Sequence, residues 1–355
     1  MVNVLVLGAG RRVKGAVLPA LGCLEDRFRV AAVCSRSPVE IDWAGGRRRI
    51  TTTTLDRVDM AGIDLIVMAV SLRQNARVLA QLAAMPVGGA VLLLDTPVLP
   101  PAGLAAARHF SAFRRVLVAE DTLALPPFLL ARRLIDDGAI GRLERIFFFH
   151  CGYKHHAMAS LKLLAGAPIR RIVDRKFAGK MRQKLVDFAS GASAVMYEPR
   201  DYATGKFLLR GESGAIADYD YDVAPVRRIG YQVDGPIYRG LTLDGEPVPP
   251  AGLDQAYLDH VGGDVFDASL MNTMKLRGLM DLLVAALEPS SPFHYDPADA
   301  LCDHLSARLV DRIGYLPAPH RFRHLVALAE HLPGGPRAPR PEGRPGQEPD
   351  PAGRV

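Results

Sequence analysis

The sharpest chemical signal in the sequence is a glycine-rich turn that directly follows an apolar run. Gly8 and Gly10 come after residues 2–7 and precede a helical pattern. The first glycine of such a turn permits a tight strand-to-helix bend, and the second lets backbone amides approach a pyrophosphate. The third glycine of the motif is replaced by Val13 or has moved to Gly15, so a plain structural turn is the alternative. The predicted phosphate contacts are Gly8, Gly10, Arg11 and Arg12.

The end of the second apolar run indicates which dinucleotide would suit this turn. Residues 30–34 are followed by Ser35 and Arg36. An Asp or Glu at this place would bind the ribose 2′-hydroxyl of NAD, whereas a hydroxyl and a cation suit the 2′-phosphate of NADP. We therefore predict that Ser35 and Arg36 bind NADP in preference to NAD, which stays an alternative cofactor. The alternative interpretation is that Arg11, Arg12 and Arg36 are solvated side chains that contact no cofactor.

Short apolar runs alternate with helical patterns in the first third of the chain. The predicted strands cover residues 2–7, 30–34, 63–70, 91–94 and 116–119, and the predicted helices cover residues 17–24 and 75–85. Unalternated strands that are separated by helices are typical of a parallel sheet buried on both faces. The pattern predicts an α/β fold with a Rossmann domain, a doubly wound parallel sheet, over residues 1–121.

The pattern changes after residue 121. Helical patterns cover residues 126–137, 155–164, 266–287 and 299–313, a strand covers residues 142–150, and glycine-punctuated strands extend from residue 169 to residue 238. We predict a C-terminal α+β domain with an open, mostly antiparallel sheet over residues 122–332, for substrate binding and oligomer contacts. Residues 333–355 are rich in Pro and Gly and are predicted to be a disordered tail.

Composition excludes several classes of protein. Hydrophobic residues make up 49% and charged residues 23% of the 355 residues, which is the balance of a globular protein. The net charge of +6 is modest and no basic motif contains interleaved aromatic residues, so we expect no nucleic-acid partner. No apolar run is as long as a membrane span, and the first residues lack the features of a signal peptide. The four cysteines lack metal-ligand spacing, so we predict a cytoplasmic protein with free thiols and no metal site.

In this order of elements the chain resembles the Gfo/Idh/MocA family, which includes glucose–fructose oxidoreductase and inositol dehydrogenase. The likeness covers about residues 1–315 and rests on short blocks in the same order. These are the glycine turn with Leu-Pro-Ala-Leu at 18–21, the strand and loop at 64–71, Asp-Thr-Pro at 95–97 where the family has Glu-Lys-Pro, Gly-Ala-Ile-Gly at 138–141, and His156 ten residues before Gly166. The resemblance implies an NAD(P)-dependent dehydrogenase or reductase acting on a sugar, a cyclitol or a related alcohol.

The resemblance also implies which residues line the nicotinamide side of a cofactor site. These residues are Val70, Ser71, Asn75, Asp95, Thr96 and Pro97. In the family, the Lys of Glu-Lys-Pro and a helical Asp-x-x-x-His pair handle the proton during hydride transfer. This chain has Thr96 in place of the Lys and Gly152 in place of the Asp. Thr96 could instead hydrogen-bond the cofactor amide without taking part in the chemistry.

His156 holds the position of the family's histidine, and the resemblance therefore implies that it is the acid/base of the reaction. We predict that Lys154 supplies the missing cation or that Tyr153 donates a proton. His156 or its neighbour His155 could equally be a satisfied histidine buried beneath the apolar stripe of its helix.

Two acidic residues follow the fifth predicted strand, at the carboxyl edge where ligands bind in such sheets. Glu120 and Asp121 are therefore either site residues or turn residues. The sequence leaves both interpretations open.

Taken together, these features predict an NADP(H)-dependent oxidoreductase that transfers a hydride between nicotinamide and a small polar carbonyl or alcohol. The alternative is a non-catalytic sensor or partner protein that binds the cofactor, because the usual Lys and Asp are missing; lyase or isomerase chemistry is a third interpretation. The open sheet has a face that the predicted helices need not cover, so we expect a homodimer or homotetramer.

Overall fold

The computed structural model describes residues 1–43, 48–201, 204–222, 225–261, 268–288, 295–324 and 328. The predicted tail at 333–355 and the predicted helix start at residue 266 lie outside the described residues. No helix within the described ranges is long and apolar enough to cross a membrane.

Five parallel strands form the first sheet, as predicted. The strands of this part of the chain are β1 (Val2–Leu7), β2 (Phe28–Cys34), β3 (Glu40–Trp43), β4 (Arg48–Thr51), β5 (Leu65–Met68), β6 (Val91–Asp95) and β7 (Arg115–Ala119). The order in the sheet is β2-β1-β5-β6-β7, and β3 pairs with β4 in a separate hairpin. The chain therefore continues on opposite sides of β1, so the topological switch point lies between β1 and β5. Ligands of such sheets bind in the crevice at this point.

Both faces of this sheet are buried, because successive side chains of a strand point to opposite faces. Val4 and Val6 of β1 belong to one hydrophobic core, and Leu5 and Leu7 belong to the other. Helix α1 (Leu18–Cys23) contributes to the first core and helix α2 (Leu72–Ala83) to the second. This arrangement explains why the strands are continuous apolar runs.

Three local features differ from the predicted elements. The helix after the glycine turn begins earlier than expected, with a π-helical stretch at Val13–Val17 that leads into α1. The β3–β4 hairpin and a 3₁₀-helix at Pro101–Ala112 were not predicted. They lack a long apolar period, which is the main signal for an element in a single sequence.

The second sheet has ten strands in the order β16-β15-β14-β13-β12-β8-β11-β10-β9-β17. The strands are β8 (Leu143–Phe149), β9 (Ile169–Lys176), β10 (Arg182–Phe188), β11 (Ser193–Glu198), β12 (Lys206–Gly211), β13 (Ala215–Ala217), β14 (Val226–Asp234), β15 (Ile237–Leu243), β16 (Glu246–Pro247) and β17 (Tyr315–Pro317). Only β8–β11 and β13–β14 are parallel among these pairs, so the expectation of a mostly antiparallel sheet is confirmed.

Helices cover one face of this second sheet. They are α3 (Pro126–Asp136), α4 (Lys154–Ala165), α5 (Asp254–His260), α6 (Leu270–Leu287) and α7 (Pro297–Ile313). Phe148 of β8 is buried on the helix side, whereas Phe147 and Phe149 lie on the other face with Tyr197 and Tyr219. Helix α6, from the second part of the chain, also contacts β6 and β7 of the first sheet. The predicted domain boundary at residue 121 stays a prediction.

Candidate functional site

The glycine turn is shaped by close backbone contact. Gly8 has φ +121°, and a Cβ at this position would lie 2.4 Å from the carbonyl oxygen of Ala69, which follows β5. Only glycine fits such a conformation and such an approach. A Cβ at Gly10 would meet nothing within 4 Å, so the space in front of this residue is open. The next helix begins at Arg11, and its first amides have no intrahelical acceptors. The turn is therefore suited to an anion.

Arg12, one of the predicted phosphate contacts, forms ion pairs with two carboxylates. Its Nε lies 3.1 Å from Asp95 Oδ1, and its Nη1 lies 2.8 Å from Asp121 Oδ2. Burial lowers the pKa of Arg12, but the two carboxylates outweigh this effect and the net change is upward. The guanidinium therefore joins the helix that follows the glycine turn to the segments that follow β6 and β7. Arg12 is already paired with these two carboxylates, whereas Arg11 is exposed at the turn. The phosphate contacts of both residues stay predictions.

Ser35 and Arg36, which are predicted to recognise the 2′-phosphate, differ in whether their side chains are already hydrogen-bonded. The Ser35 hydroxyl lies 2.6 Å from Thr52 Oγ1 and 2.5 Å from the carbonyl oxygen of Ser37. Arg36 is exposed, and its side chain forms no hydrogen bond or ion pair with the described part of the chain. Arg36 is thus the freer of the two predicted residues.

The predicted nicotinamide-side residues lie at the ends of β5 and β6. Val70 and Ser71 connect β5 to α2, and Ser71 is exposed at the N-cap of that helix. Asn75 is buried, and its Nδ2 donates to the carbonyl oxygens of Pro97 (3.2 Å) and Val98 (2.7 Å). Asn75 therefore fastens α2 to the segment after β6.

The other three predicted residues of this group continue directly from β6. Asp95 is its last residue, and Thr96 and Pro97 follow it, joined by a cis peptide bond. Asp95 accepts the hydrogen bond from Arg12. The segment thus lies at the carboxyl edge of the sheet, as the resemblance implies.

Glu120 and His156 form a hydrogen-bonded pair at this edge. Glu120 directly follows β7 and is completely buried. His156 lies in the first turn of α4, with its Nδ1 2.9 Å from both carboxylate oxygens of Glu120. The hydroxyl of Thr122 donates to the same carboxylate at 2.7 Å. Burial raises the pKa of Glu120, but the interaction with His156 outweighs it, and the net direction is downward.

This pairing has a consequence for the imidazole ring. An ionised Glu120 accepts the proton of Nδ1, which leaves Nε2 of His156 for exchange with another molecule. The sequence left open whether Glu120 and Asp121 are site or turn residues; the structure brings both to the crevice.

The N-terminus of α4, and with it His156, is held by a buried ionic group. The amide of Lys154 donates to Glu198 Oε1 of β11 at 3.0 Å. The ammonium of Lys184 pairs with Glu198 and lies 3.0 Å from Asp311 Oδ1. Lys184 is completely buried. Breaking a buried ion pair leaves an uncompensated charge and strongly destabilises the fold. The network therefore fixes the position at which α4 begins.

The three residues predicted to act in catalysis lie in two adjacent pockets. His156 and Tyr153 line a cavity of about 10 Å³ together with Lys275 of α6, enough space for about one water molecule. Lys154 instead lies with its Nζ 5.0 Å from the centre of the Tyr153 ring, and it lines a separate pocket with His155 and His304. The cations that line the cavity of His156 are therefore Lys275 and Arg200 rather than Lys154.

Sequence reasoning missed Lys275. Its Nζ lies 3.4 Å from Asp121 Oδ1. Burial raises the pKa of Asp121, but Lys275 and Arg12 outweigh this effect and hold it well below its usual value. No local pattern marks Lys275, because it comes from a helix more than a hundred residues downstream of Asp121.

Glu120, His155 and His156 each have a ligand-type atom within 4.8 Å of the others. Such a group is close enough to hold one metal ion. The 2.9 Å contacts between His156 and Glu120 are hydrogen-bond distances, and the absence of a metal site stays a prediction.

Comparisons with known proteins agree with this fold. No protein-family model matches the sequence, and no curated protein matches it. Solved structures do match, with low sequence identity. Levoglucosan dehydrogenase in complex with NADH has a TM-score of 0.61 and 13% identity, over 90% of this chain and 99% of that one.

Two further structures are equally similar. An oxidoreductase from Agrobacterium radiobacter, in complex with NAD⁺, L-tartaric acid and magnesium, has a TM-score of 0.60 and 14% identity, over 89% of this chain and 98% of that one. An oxidoreductase from Thermotoga maritima has a TM-score of 0.60 and 14% identity, over 90% and 99%. These likenesses show that the chain has the two-part fold of these oxidoreductases, and the predicted fold class is confirmed.

Proposed function

We propose that the protein is an NADP(H)-dependent oxidoreductase of the Gfo/Idh/MocA type, with a small polar carbonyl or alcohol as its substrate. The observation that carries this proposal is the hydrogen-bonded Glu120–His156 pair at the carboxyl edge of the sheet. Proteins with this fold bind NADH and NAD⁺ in two of the compared structures. The pair supplies a titratable group where such a reaction needs a proton acceptor.

The residues at the glycine turn fit a dinucleotide. Gly8 brings the backbone close to the end of β5, and the space in front of Gly10 is open. A pyrophosphate there would meet free backbone amides and the exposed Arg11. Arg36 is placed at the tip of β2, where the 2′-phosphate of NADP would need a cation. When bound, the nicotinamide would supply the acceptor or donor of the hydride.

The chain's own residues would handle the proton. In alcohol oxidation, Nε2 of His156 accepts the hydroxyl proton, while the carboxylate of Glu120 stabilises the imidazolium that forms. Lys275 and Tyr153 line the same cavity, and they would hydrogen-bond the substrate oxygen and favour its alkoxide character. In reduction, His156 returns the proton to that oxygen.

The test is the loss of the acid/base group. His156→Ala is expected to lower kcat by about two to four powers of ten, the range of a lost general acid or base. NADPH affinity, measured by fluorescence titration, is expected to stay unchanged because the histidine contacts no part of the glycine turn. His260→Ala is a matched control, since His260 is exposed on α5. Unchanged turnover in His156→Ala, on a substrate that the native protein converts, would refute the mechanism.

A non-catalytic cofactor-binding protein is the second candidate. Arg12 is paired with Asp95 and Asp121 at the carboxyl edge of the sheet, and Thr96 stands where the resemblance implies a Lys. Tight binding of NADPH without turnover on any carbonyl or alcohol would favour this candidate.

A further inference from the structure

A second pocket lies beside the Glu120–His156 pair, between the start of α4 and the second half of α7. We call it the α4–α7 pocket. It is an open pocket of about 480 Å³, within the range of small-ligand sites. The residues that matter for its chemistry are Tyr153, Lys154, His155, His304, Arg308 and Arg312.

Three cations converge on this pocket. Arg308 and Arg312 are exposed and lie one helical turn apart on α7, and Lys154 faces them from α4. None of the three forms an ion pair within the described segments. Like charges one turn apart on a helix destabilise it slightly. An anion between them would reverse this repulsion and gain charge-assisted hydrogen bonds.

Two buried histidines in the pocket wall have an unused nitrogen. His155 is 9% exposed and His304 is 6% exposed. Nε2 of His155 and Nδ1 of His304 have no hydrogen-bond partner among the described residues. Burial of such an atom without a partner is costly. Both nitrogens are themselves buried in the pocket wall, and a ligand hydroxyl that reaches them after a small side-chain rotation would satisfy them.

The chemistry of these nitrogens indicates the ligand group that suits them. Burial, followed by neighbouring positive charge, lowers the pKa of His155 to about 3 and that of His304 to about 4, so both rings are neutral at neutral pH. His304 also hydrogen-bonds the backbone of Leu99, which leaves Nδ1 as an acceptor in need of a donor. A hydroxyl group can donate or accept, so it satisfies either histidine in either tautomer.

One carboxylate also lines the pocket, but it is compensated. Asp311 Oδ1 lies 3.0 Å from Lys184 Nζ and 3.4 Å from Arg182 Nη1. Its charge is therefore directed toward the interior network, and the cations at the mouth remain in excess.

We propose that the α4–α7 pocket binds a small hydroxylated anion of the sugar-acid or sugar-phosphate class. The carboxylate or phosphate contacts Arg308, Arg312 and Lys154, and hydroxyl groups contact His155 and His304. The rings of His155 and His156 are 4.0 Å apart, and Tyr153 lines both the pocket and the cavity of His156. Resting on the proposed function, the pocket would anchor the charged end of the substrate beside the acid/base.

Calorimetric titration without cofactor tests the pocket itself. The probes are gluconate, glucose 6-phosphate and the neutral polyol sorbitol. At least one anion is expected to bind about tenfold or more tightly than sorbitol, and the two anions distinguish a carboxylate site from a phosphate site. Arg308→Gln and Arg312→Gln are each expected to weaken anion binding by about tenfold, since each removes a charge-assisted bond. Arg29→Gln, an exposed change at the start of β2, is the control.

Two outcomes would overturn the proposal. Sorbitol binding as tightly as both anions would show that charge is not recognised, and unchanged anion affinity in both arginine variants would remove α7 from the site. His304→Phe adds an independent variant, which is expected to weaken binding of the hydroxylated anions more than binding of inorganic sulfate.

Turnover assays separate this proposal from the proposed function. If an anion binds and Arg308→Gln weakens it, the pocket stands even when no redox turnover is found. If turnover occurs but KM is unchanged by Arg308→Gln, the oxidoreductase stands and the anchoring role is refuted.

Discussion

Replacing Glu120 by Gln tests the central pair with almost no change in shape. The carboxylate is completely buried, and both of its oxygens lie 2.9 Å from Nδ1 of His156. A hydrogen bond to a charged group contributes about 1.5–3 kcal/mol, against about 0.5–1.5 kcal/mol for a neutral one. The charge of Glu120 is therefore worth roughly 1–1.5 kcal/mol to the imidazolium, or about tenfold in a rate that depends on it.

The expected loss of rate follows from the lost charge. Without the anion, the imidazolium that forms during alcohol oxidation is less stable, so the step that forms it is slower. We expect kcat to fall at least tenfold. The loss reaches about four powers of ten if the new amide turns its NH₂ toward Nδ1 and fixes the wrong tautomer, as in a carboxylate-to-amide change in a Ser-His-Asp triad.

The assay is kcat for native protein and variant at one pH, after circular dichroism has shown equal folding. Glu246→Gln, an exposed change on β16, is the matched control and should leave kcat unchanged. A kcat within twofold of the native value would show that Glu120 does not act through His156.

Three further predictions concern the cofactor, acid stability and assembly. Arg36→Ala is expected to weaken NADPH binding about tenfold or more and to leave NADH binding nearly unchanged, by fluorescence titration; equal effects would remove Arg36 from the site. The lowered pKa of His304 means that the unfolded state binds a proton below pH 6.5 and the folded state does not until about pH 4. The free energy of unfolding in urea should therefore fall by about 2 kcal/mol from this group between pH 7 and pH 5, and His304→Gln should reduce the fall. Phe149→Asp on the open sheet face, where Phe149 lies against Phe147 and Tyr197, should convert the expected homodimer or homotetramer to monomer in analytical ultracentrifugation; a native monomer would refute it.

The sequence predicted best those features that depend on local pattern. Apolar runs marked the strands of the first sheet because both faces are buried, and the glycine turn marked the end of β1. The close contact that requires glycine at position 8 could not be predicted, because the carbonyl oxygen involved belongs to Ala69, directly after β5. Such a contact depends on the order of strands and leaves no trace in the spacing of residues.

Side-chain direction at the site was less predictable. Arg12 follows the glycine turn, which predicts a phosphate contact, whereas the partners that the structure gives it, Asp95 and Asp121, come from β6 and from beyond β7. Lys275 was missed because its partner, Asp121, lies far from it in the sequence. Ion pairs between residues so far apart in sequence depend on the tertiary fold, and no period or motif encodes them.

In the proposed mechanism, the departures from the pattern of the family that the chain resembles amount to one rearrangement of the same chemical groups. His156 lies on α4, and its carboxylate partner is Glu120, directly after β7, rather than a residue at the place of Gly152, which precedes α4. Lys275 of α6 would supply the cation that the resemblance places at Thr96. Proton transfer needs the groups and their positions, not particular strands or helices. The missing Lys and Asp therefore do not by themselves argue against catalysis, because a carboxylate, an imidazole and an ammonium still meet at the carboxyl edge.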